Sequence, residues 1–341
     1  MKTTTKIAAI VAVVLILLGL TLACISSGII GNDMTQLNTV TLTQTTHTIA
    51  EPFENIRIHT SVGIQILPAS GSECTVVCDD SENQYHAVSV ENGTLVVKQI
   101  TEHQMIQFNV MIMENPSVTV YLPESQYEDL SIDGSSGDIM DVDPSFTFRN
   151  VQLKVSSGSI RFRANLVNDL TVSTSSGDIL LENVHADAIR TTATSGSITL
   201  SGCEAQQDIS VQTSSGDIHV TDTKAAGSLH TGATSGQVEL TDVTAMSMTG
   251  KSSSGDLQLY NVVIHGHLSL EATSGSISLD SSDAQSLIIH TSSGDVSGTL
   301  LSPKFFITHT SSGSVKTSDP DPAGGRCEIT TSSGNIKMTA E

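Results

Sequence analysis

The chain has 341 residues, with 15 lysines and arginines against 36 aspartates and glutamates, a net charge of -21 and no tryptophan. A surface this acidic repels nucleic acids and anionic membranes, so the body of the protein is expected to bind neither. The apolar fraction of 38% is enough for a core, and the repeats described below predict one elongated body with a thin, linear core.

The first predicted element is an apolar run at residues 7–30, which has no charged residue and follows Lys2 and Lys6. The run is long enough to span a bilayer, and the two lysines favour a cytoplasmic N-terminus. Three outcomes stay open for 1–30: a retained transmembrane signal anchor, a lipoprotein signal with Cys24 of "TLAC" as the lipidated residue, and plain cleavage. Thr21 departs from the leucine usual in a lipobox. All three outcomes place the remaining chain outside the cytoplasm, and the first two hold it at the cell membrane.

Two segments separate this run from the repeats. Residues 31–50 are rich in threonine and are expected to form a linker or a first strand. Residues 51–130 are predicted to form an irregular β cap, because repeat proteins need atypical terminal units to cover the end of the core. Within the cap, Asn92–Gly93 predicts a hairpin turn, and Gly63 is expected to occupy the corner of a degenerate coil.

From residue 131 to 341, the phrase "SSGDI" or a variant of it recurs eleven times. Its glycines are spaced by 19 to 21 residues, and such a period indicates a solenoid, propeller or array. A serine precedes each of them. The glycines are Gly137, Gly158, Gly177, Gly196, Gly216, Gly236, Gly255, Gly275, Gly294, Gly313 and Gly334.

Apolar residues stand seven positions before and two positions after every one of these glycines, as Leu170 and Ile179 do around Gly177. Within each arm the apolar positions lie two apart, as expected for strands with one buried face. Across the glycine the step is odd, so the chain must turn a corner there. The pattern predicts an all-β, parallel β-solenoid of about eleven 20-residue coils, each with two short strands. A 39-residue coil with two corners is the alternative.

Acidic and neutral residues alternate directly after the glycine. In adjacent coils their carboxylates would lie about 4.8 Å apart and repel one another, and alternation doubles that separation. We therefore interpret the acidic column as a solvated edge and predict no calcium site, whereas 39-residue coils would bring these carboxylates together around a cation. The clearest acidic members are Asp178, Asp217, Asp256 and Asp295.

No catalytic, cofactor or metal site is predicted, and the protein is not expected to be an enzyme. The corner serines lack a partner base. His290 and His309 are expected at the same outward position of adjacent coils without further ligands, which is typical of exposed polar residues. Cys74 and Cys78 are too far apart along one strand for a disulfide, and Cys203 and Cys327 are expected in the core.

The repeated "SSGDI", the leading "YLPES" and "LSIDGSSGDI", and the anchored N-terminus resemble a bacterial and archaeal putative-adhesin domain of unknown function. That family is akin to the head domains of auto-transporter adhesins. The resemblance covers about residues 51–341. It implies a β-helical fold and an extracytoplasmic location, and it implies little about activity.

The functional expectation is a non-enzymatic, membrane-anchored and extracytoplasmic surface or structural protein. Its rigid acidic solenoid would be presented, as in an adhesin, to an unknown protein or glycan ligand, with self-association as a further option. The alternative is an accessory or sensor subunit of an envelope-stress or membrane signalling system.

Overall fold

The computed structural model describes residues 41–102 and 115–341. Within these ranges all regular structure is β, in 28 strands, which confirms the all-β prediction. The described ranges contain no helix that could cross a bilayer. The apolar run at 7–30 lies outside the described residues, so the predicted anchor and the lipidation of Cys24 stay predictions.

The strands fall into three groups along the chain. The N-terminal strands are β1 (Thr43–Ile49), β2 (Asn55–Thr60), β3 (Gly63–Pro68), β4 (Cys74–Asp80), β5 (Gln84–Glu91), β6 (Thr94–Thr101), β7 (Ser117–Leu122), β8 (Gln126–Gly134) and β9 (Ile139–Val142). The central strands are β10 (Thr147–Val155), β11 (Ile160–Phe162), β12 (Asn165–Leu166), β13 (Asp169–Thr174), β14 (Ile179–Glu182), β15 (His185–Ala186), β16 (Ala188–Ala193), β17 (Ile198–Ser201), β18 (Glu204–Ala205) and β19 (Ile209–Thr213). The remaining strands are β20 (Ile218–Ala233), β21 (Val238–Ser252), β22 (Leu257–Ala272), β23 (Ile277–Thr291), β24 (Val296–Leu300), β25 (Lys304–Thr310), β26 (Val315–Thr317), β27 (Gly325–Thr331) and β28 (Ile336–Ala340).

Successive coils stack directly in a parallel ladder. Ile179 pairs with Ile198, and Ile198 pairs with Ile218, so neighbouring coils are 19 or 20 residues apart in the sequence. The three isoleucines are at most 1% exposed and form part of one continuous core. The β-solenoid and its 20-residue coil are therefore confirmed, and the 39-residue coil is wrong.

Each central coil has three strands rather than the predicted two. A short third strand, such as β15, pairs with its counterpart β18 in the next coil. The corner before this strand holds residues with φ between 48° and 65°, a left-handed conformation that Gly, Asn and Asp adopt at least cost. These residues all stand six positions after a repeat glycine, in a column that was not predicted from the sequence. They are Asn183, Gly202, Asp222, Asp242, Asn261 and Ser281.

Coils of different length differ at a third corner, which lies where the register of strand pairing shifts. Where β20 pairs with β21, the register shifts between Ala225 and Ser228. The same kind of shift follows Ala245 in the next coil and Ile264 in the one after. The period can therefore vary between 19 and 20 residues while the glycine corner stays in register.

At both ends the spatial order of the coils departs from their order in the sequence. The last coil, β27–β28, lies between β23–β24 and β25–β26, because Cys327 pairs with both Leu287 and Phe306. At the other end β2–β3 lies between β6–β7 and β8–β9, since Ile56 pairs with both Leu95 and Leu130. Coils that follow one another in the sequence are therefore not always neighbours in the solenoid, contrary to the expectation for the coils of His290 and His309. The first and last coils in the described sequence, β2–β3 and β27–β28, are thus hydrogen-bonded to a neighbouring coil on both sides.

The N-terminal end of the solenoid is covered by antiparallel strands. β5 pairs with β6, and β4 joins β1 to β7. Asn92 and Gly93 have φ values of 51° and 73°, which confirms the predicted hairpin turn. Residues 55–68, assigned from the sequence to the cap, form a coil beneath this cover. In that coil Val62, not Gly63, lies against Gly137, so the corner was placed one residue too late.

Candidate functional site

The repeat glycines are required by close approach of the backbone and not by a positive φ. A Cβ atom on Gly216 would lie 2.0 Å from the carbonyl oxygen of Gly196, and one on Gly196 would lie 1.7 Å from that of Gly177. Such distances are far below van der Waals contact, so each of the eleven repeat coils needs glycine at this corner. Along the stack, Gly334 lies on Gly294 and Gly313 lies on Gly334, in agreement with the exchanged order of the last two coils.

A hydroxyl group inside the corner joins alternate coils. The Oγ1 atom of Thr213 donates a hydrogen bond to Gly196 O at 2.9 Å and accepts one from Gly216 N at 3.2 Å. Thr174, Ser252 and Thr291 make the same two bonds in their own coils. Alanine occupies this position in the coils between them. The three alanines are Ala193, Ala233 and Ala272.

The acidic column outside the corner is a second ladder of hydrogen bonds. Asp178 Oδ1 accepts a bond from Ser197 N at 2.8 Å, and Ser197 Oγ accepts one from Asp217 N at 3.3 Å. Asp217 then accepts from Gln237 N at 2.8 Å. Each side chain thus satisfies a backbone N–H of the next coil, which the bend would otherwise leave unpaired.

This ladder assigns a structural role to the acidic column. Asp178 and Asp217 are two coils apart, about 9.6 Å at the usual strand spacing, which is too far for both to bind one calcium ion. The alternation that suggested a 39-residue coil therefore arises from hydrogen bonds between neighbouring 20-residue coils.

The histidines singled out in the sequence do not come together. His290 and His309 both pair with Thr330, because the coil β27–β28 separates them. The prediction that they occupy adjacent coils is wrong. His267 Nδ1 lies 3.0 Å from Ser286 Oγ. Nothing at these positions gathers the further donors that a metal ion requires.

The C-terminal end of the solenoid exposes apolar side chains. Among the described strands, β25 pairs only with β27 and β26 only with β28, so the outer edge of this coil has no strand partner. Val315 is 46% exposed, although Ile336 at the same position of the neighbouring coil is 1% exposed. Leu301, Phe305 and Ile307 are also exposed. We call the outer coil, residues 301–317, the C-terminal tip.

The tip also differs from the rest of the chain in charge. It contains Lys316 and no carboxylate, and its second lysine, Lys304, is 3% exposed and forms an ion pair with Asp283. The loop that follows adds Asp319 and Asp321, so the unpaired charges of coil and loop sum to -1 (one lysine against two aspartates) in a chain of net charge -21. A second protein surface can therefore approach the tip without the repulsion that it would meet along the sides.

A buried polar cluster lies at the opposite end, beneath β4 and β5. His86 Nδ1 is 2.8 Å from Asp80 Oδ1, and His86 Nε2 is 2.8 Å from Thr60 Oγ1. The Thr60 hydroxyl donates to Gln99 Oε1 at 3.2 Å. Donor atoms of Cys78, Asp80 and His86 lie within 4.8 Å of one another, and all three residues are buried.

This cluster was not predicted from the sequence. Its signal would have been the pattern Cys-x-Asp across a tight turn from His86, but the partner residues Thr60 and Gln99 are 26 and 13 positions away from the histidine in the sequence. The four described cysteines are free and buried, as expected for Cys203 and Cys327. Burial raises the pKa of Cys74 and of Cys78 to about 12.

Solved structures match the chain at low identity and with TM-scores below 0.5. A putative lipid binding protein from Parabacteroides distasonis is 16% identical, with 86% of this chain and 96% of that chain covered and a TM-score of 0.39. A putative adhesin from Parabacteroides merdae is 13% identical, with coverages of 75% and 93% and a TM-score of 0.42. A putative adhesin from Bacteroides fragilis is 13% identical, with coverages of 87% and 97% and a TM-score of 0.28. No curated protein matches the chain.

The family comparison covers nearly all of the described chain. The model described as Toastrack DUF4097 matches residues 53–263 and, in a second match, residues 241–341. Both matches include several of the stacked glycine corners, which are the structural hallmark of this chain. The resemblance seen in the sequence is thereby confirmed, and the chain belongs to the Toastrack DUF4097 family, a family of domains of unknown function.

Proposed function

We propose that this protein is a non-enzymatic, membrane-anchored and extracytoplasmic adhesin-like rod that binds a second copy of itself through the C-terminal tip. The observation that carries the proposal is the difference in exposure between Val315 and Ile336, which occupy the same core position in adjacent coils. A core position left open beside an unpaired strand edge indicates a missing partner.

The chemistry of the tip favours another strand over a lipid surface as that partner. The free edge of β25 presents backbone N–H and C=O groups, which a protein strand can satisfy and a hydrocarbon phase cannot. A second copy supplies the same edge with the same apolar side chains. Two tips related by a two-fold axis would pair their edges antiparallel and close the interface.

The length of the rod suggests what tip-to-tip association would do. The described N-terminal strands and the tip lie at opposite ends of a stack of thirteen coils, eleven with glycine corners and two formed by β2–β3 and β6–β7, which is about 60 Å long at the usual strand spacing. Two rods joined at their tips would hold their N-terminal anchors about two rod lengths apart. Such a pair can bridge two facing membranes.

The test uses the full-length chain reconstituted in neutral lipid vesicles. We expect the chain to sediment with the vesicles and to cluster them, as measured by light scattering, and Ile307→Lys to reduce clustering at least tenfold. Tyr260→Lys is the matched control, because it adds the same charge at an exposed apolar residue on the side of the rod. Clustering that survives Ile307→Lys, or that Tyr260→Lys reduces equally, would contradict tip-to-tip binding. A chain that stays in solution would contradict the anchor.

A further inference from the structure

We propose that Cys78, Asp80 and His86 form a binding site for a divalent cation of the Zn²⁺ type. This inference concerns the covered N-terminal end and does not depend on the proposed self-association. Cys78 and Asp80 stand on the same inward face of β4, and His86 follows on β5 after a tight turn closed by the bridge between Ser81 and Gln84. The sequence therefore brings a sulfur, an oxygen and a nitrogen ligand to one buried point.

Hydrogen bonds hold both ring nitrogens of His86 in place. Gln99 Oε1 accepts from Ser61 N at 2.5 Å and from the Thr60 hydroxyl at 3.2 Å. Thr60 Oγ1 lies 2.8 Å from His86 Nε2, which can donate to this oxygen or accept its proton. In the form with the ring proton on Nε2, the lone pair of Nδ1 faces Asp80 Oδ1.

The space between His86 Nδ1 and Asp80 Oδ1 takes either a proton or a metal cation. The two atoms lie 2.8 Å apart in a site where His86 is 3% exposed, and both can act as ligands when Nε2 holds the ring proton. A proton can fill the gap, and so can a metal ion. Tetrahedral ligands at about 2.0 Å from a zinc ion lie about 3.3 Å apart, so the site would need to open by only about half an ångström.

The Cys78 thiol favours a metal ion over a proton in this position. A proton between His86 and Asp80 makes no use of the sulfur atom, which lies in the same small cluster. A divalent ion bound by one thiolate, one carboxylate and one neutral imidazole gives a net charge of zero, the arrangement that burial tolerates best. Binding would displace the thiol proton and take the proton off His86 Nδ1, which is released or held instead on Nε2.

The second layer of residues has the form expected around a zinc ligand. A metal-bound histidine usually donates its other N–H to an oxygen acceptor, which orients the ring. Here Thr60 is that acceptor and Gln99 holds Thr60. Asp80 Oδ1 also accepts from the backbone N–H of His86 at 3.1 Å, which fixes the carboxylate. The Asp80 side chain is 11% exposed and offers the route of entry.

The test measures Zn²⁺ and Co²⁺ binding by the full-length chain in detergent. We expect one metal ion per chain after dialysis, a thiolate-to-cobalt absorption band, and a melting temperature that rises with added Zn²⁺. Cys78→Ser and Asp80→Asn should each weaken binding by about tenfold or more. Cys74→Ser is the matched control, since Cys74 is a buried thiol on the same face of the same strand but outside the cluster.

Two results would overturn the proposal. One is the absence of the thiolate-to-cobalt band in the unaltered chain, a measurement that does not depend on any variant folding. The other is a band that persists in Cys78→Ser or that Cys74→Ser removes, because the sulfur ligand would then be a different cysteine. Circular dichroism checks that each variant retains its β structure, and Asp80→Asn decides the matter if Cys78→Ser does not fold.

Discussion

The two ends of this solenoid differ in how the end of the hydrophobic core and its free strand edges are covered. At each end, the coil that comes first or last in the described sequence (β2–β3 or β27–β28) lies inside an outer coil (β6–β7 or β25–β26). Both edges of the inner coil are therefore paired. At the N-terminal end, β4 and β5 then cover the edges of the outer coil and Val118 is fully buried. At the C-terminal end no strand of residues 41–102 or 115–341 covers the outer coil in this way, and Val315 is 46% exposed. The comparison shows that the repeat itself does not close the core; added strands do.

The largest expected effect separates these two valines, which occupy equivalent core positions of the two outer coils. Val118→Asp should lower the free energy of unfolding by more than about 3 kcal/mol, because it buries an unpaired charge. Val315→Asp should lower it by about 1 kcal/mol or less, since solvent already reaches the side chain. Denaturant unfolding of both variants measures the difference. The contrast is expected at protein concentrations at which the chain is monomeric, and equal losses there would contradict an open C-terminal end. A loss for Val315→Asp that grows with protein concentration is expected from tip-to-tip binding.

A smaller contrast is expected between the corner glycines of the last two coils. A Cβ atom added to Gly334 would lie 1.9 Å from the carbonyl oxygen of Gly294. A Cβ atom added to Gly313 would lie 2.0 Å from the carbonyl oxygen of Gly334. Gly334→Ala should cost about 3 kcal/mol, because its coil is held on both sides and cannot move away. Gly313→Ala should cost about 1 kcal/mol, since the outer coil can lift. Gly71→Ala is the control, as nothing lies within 4 Å of that Cβ position.

The outer ladder of the corner should contribute about 1 kcal/mol per rung. Asp295 Oδ1 accepts a hydrogen bond from Asn335 N at 2.7 Å, and Asn335 Oδ1 plays the same part for Ser314 N at 3.0 Å. Asp295→Ala should therefore cost about 1 kcal/mol, whereas Asp295→Asn keeps an acceptor and should be nearly neutral. Thermal melts distinguish the two variants. A loss of stability in Asp295→Asn as large as in Asp295→Ala would show that the charge matters and not the acceptor.

The smallest effect is kinetic and uses the buried cysteines as reporters of local opening. Burial raises the pKa of Cys327 to about 12 and that of Cys203 to about 11, so neither thiol reacts in the closed state at neutral pH. Alkylation followed by peptide mass spectrometry should label Cys327, near the open end, before Cys74 at the covered end. Labelling should accelerate as pH rises through about 8.5, the pKa of the thiol in the opened state.

Between that pH and about 12 the closed state binds more protons than the opened one, so the free energy of opening around these cysteines falls as pH rises. Earlier labelling of Cys74 would reverse the assignment of the ends.

Much of the solenoid could be predicted from the sequence because its determinants are local. The period of the glycines, the apolar columns around them and the hairpin at Asn92–Gly93 each depend on residues within one coil, and all three predictions are confirmed. The left-handed corner at Asn183 and the alternating hydroxyls at Thr213 were also present as columns in the sequence. They were overlooked because their residue types vary more than the glycine does.

The sequence by itself determined the coil, and only the tertiary structure decided the order of the coils and the contents of the ends. Every coil presents the same columns to its neighbours, so β23 can accept β27 as well as β25, and no local pattern distinguishes the two arrangements. The enclosed arrangement gives the last strand two paired edges instead of one, a gain that exists only when the whole stack has formed. The cluster of Cys78, Asp80 and His86 likewise depends on Thr60 and Gln99, which the sequence separates and the ladder of β2 and β6 brings together.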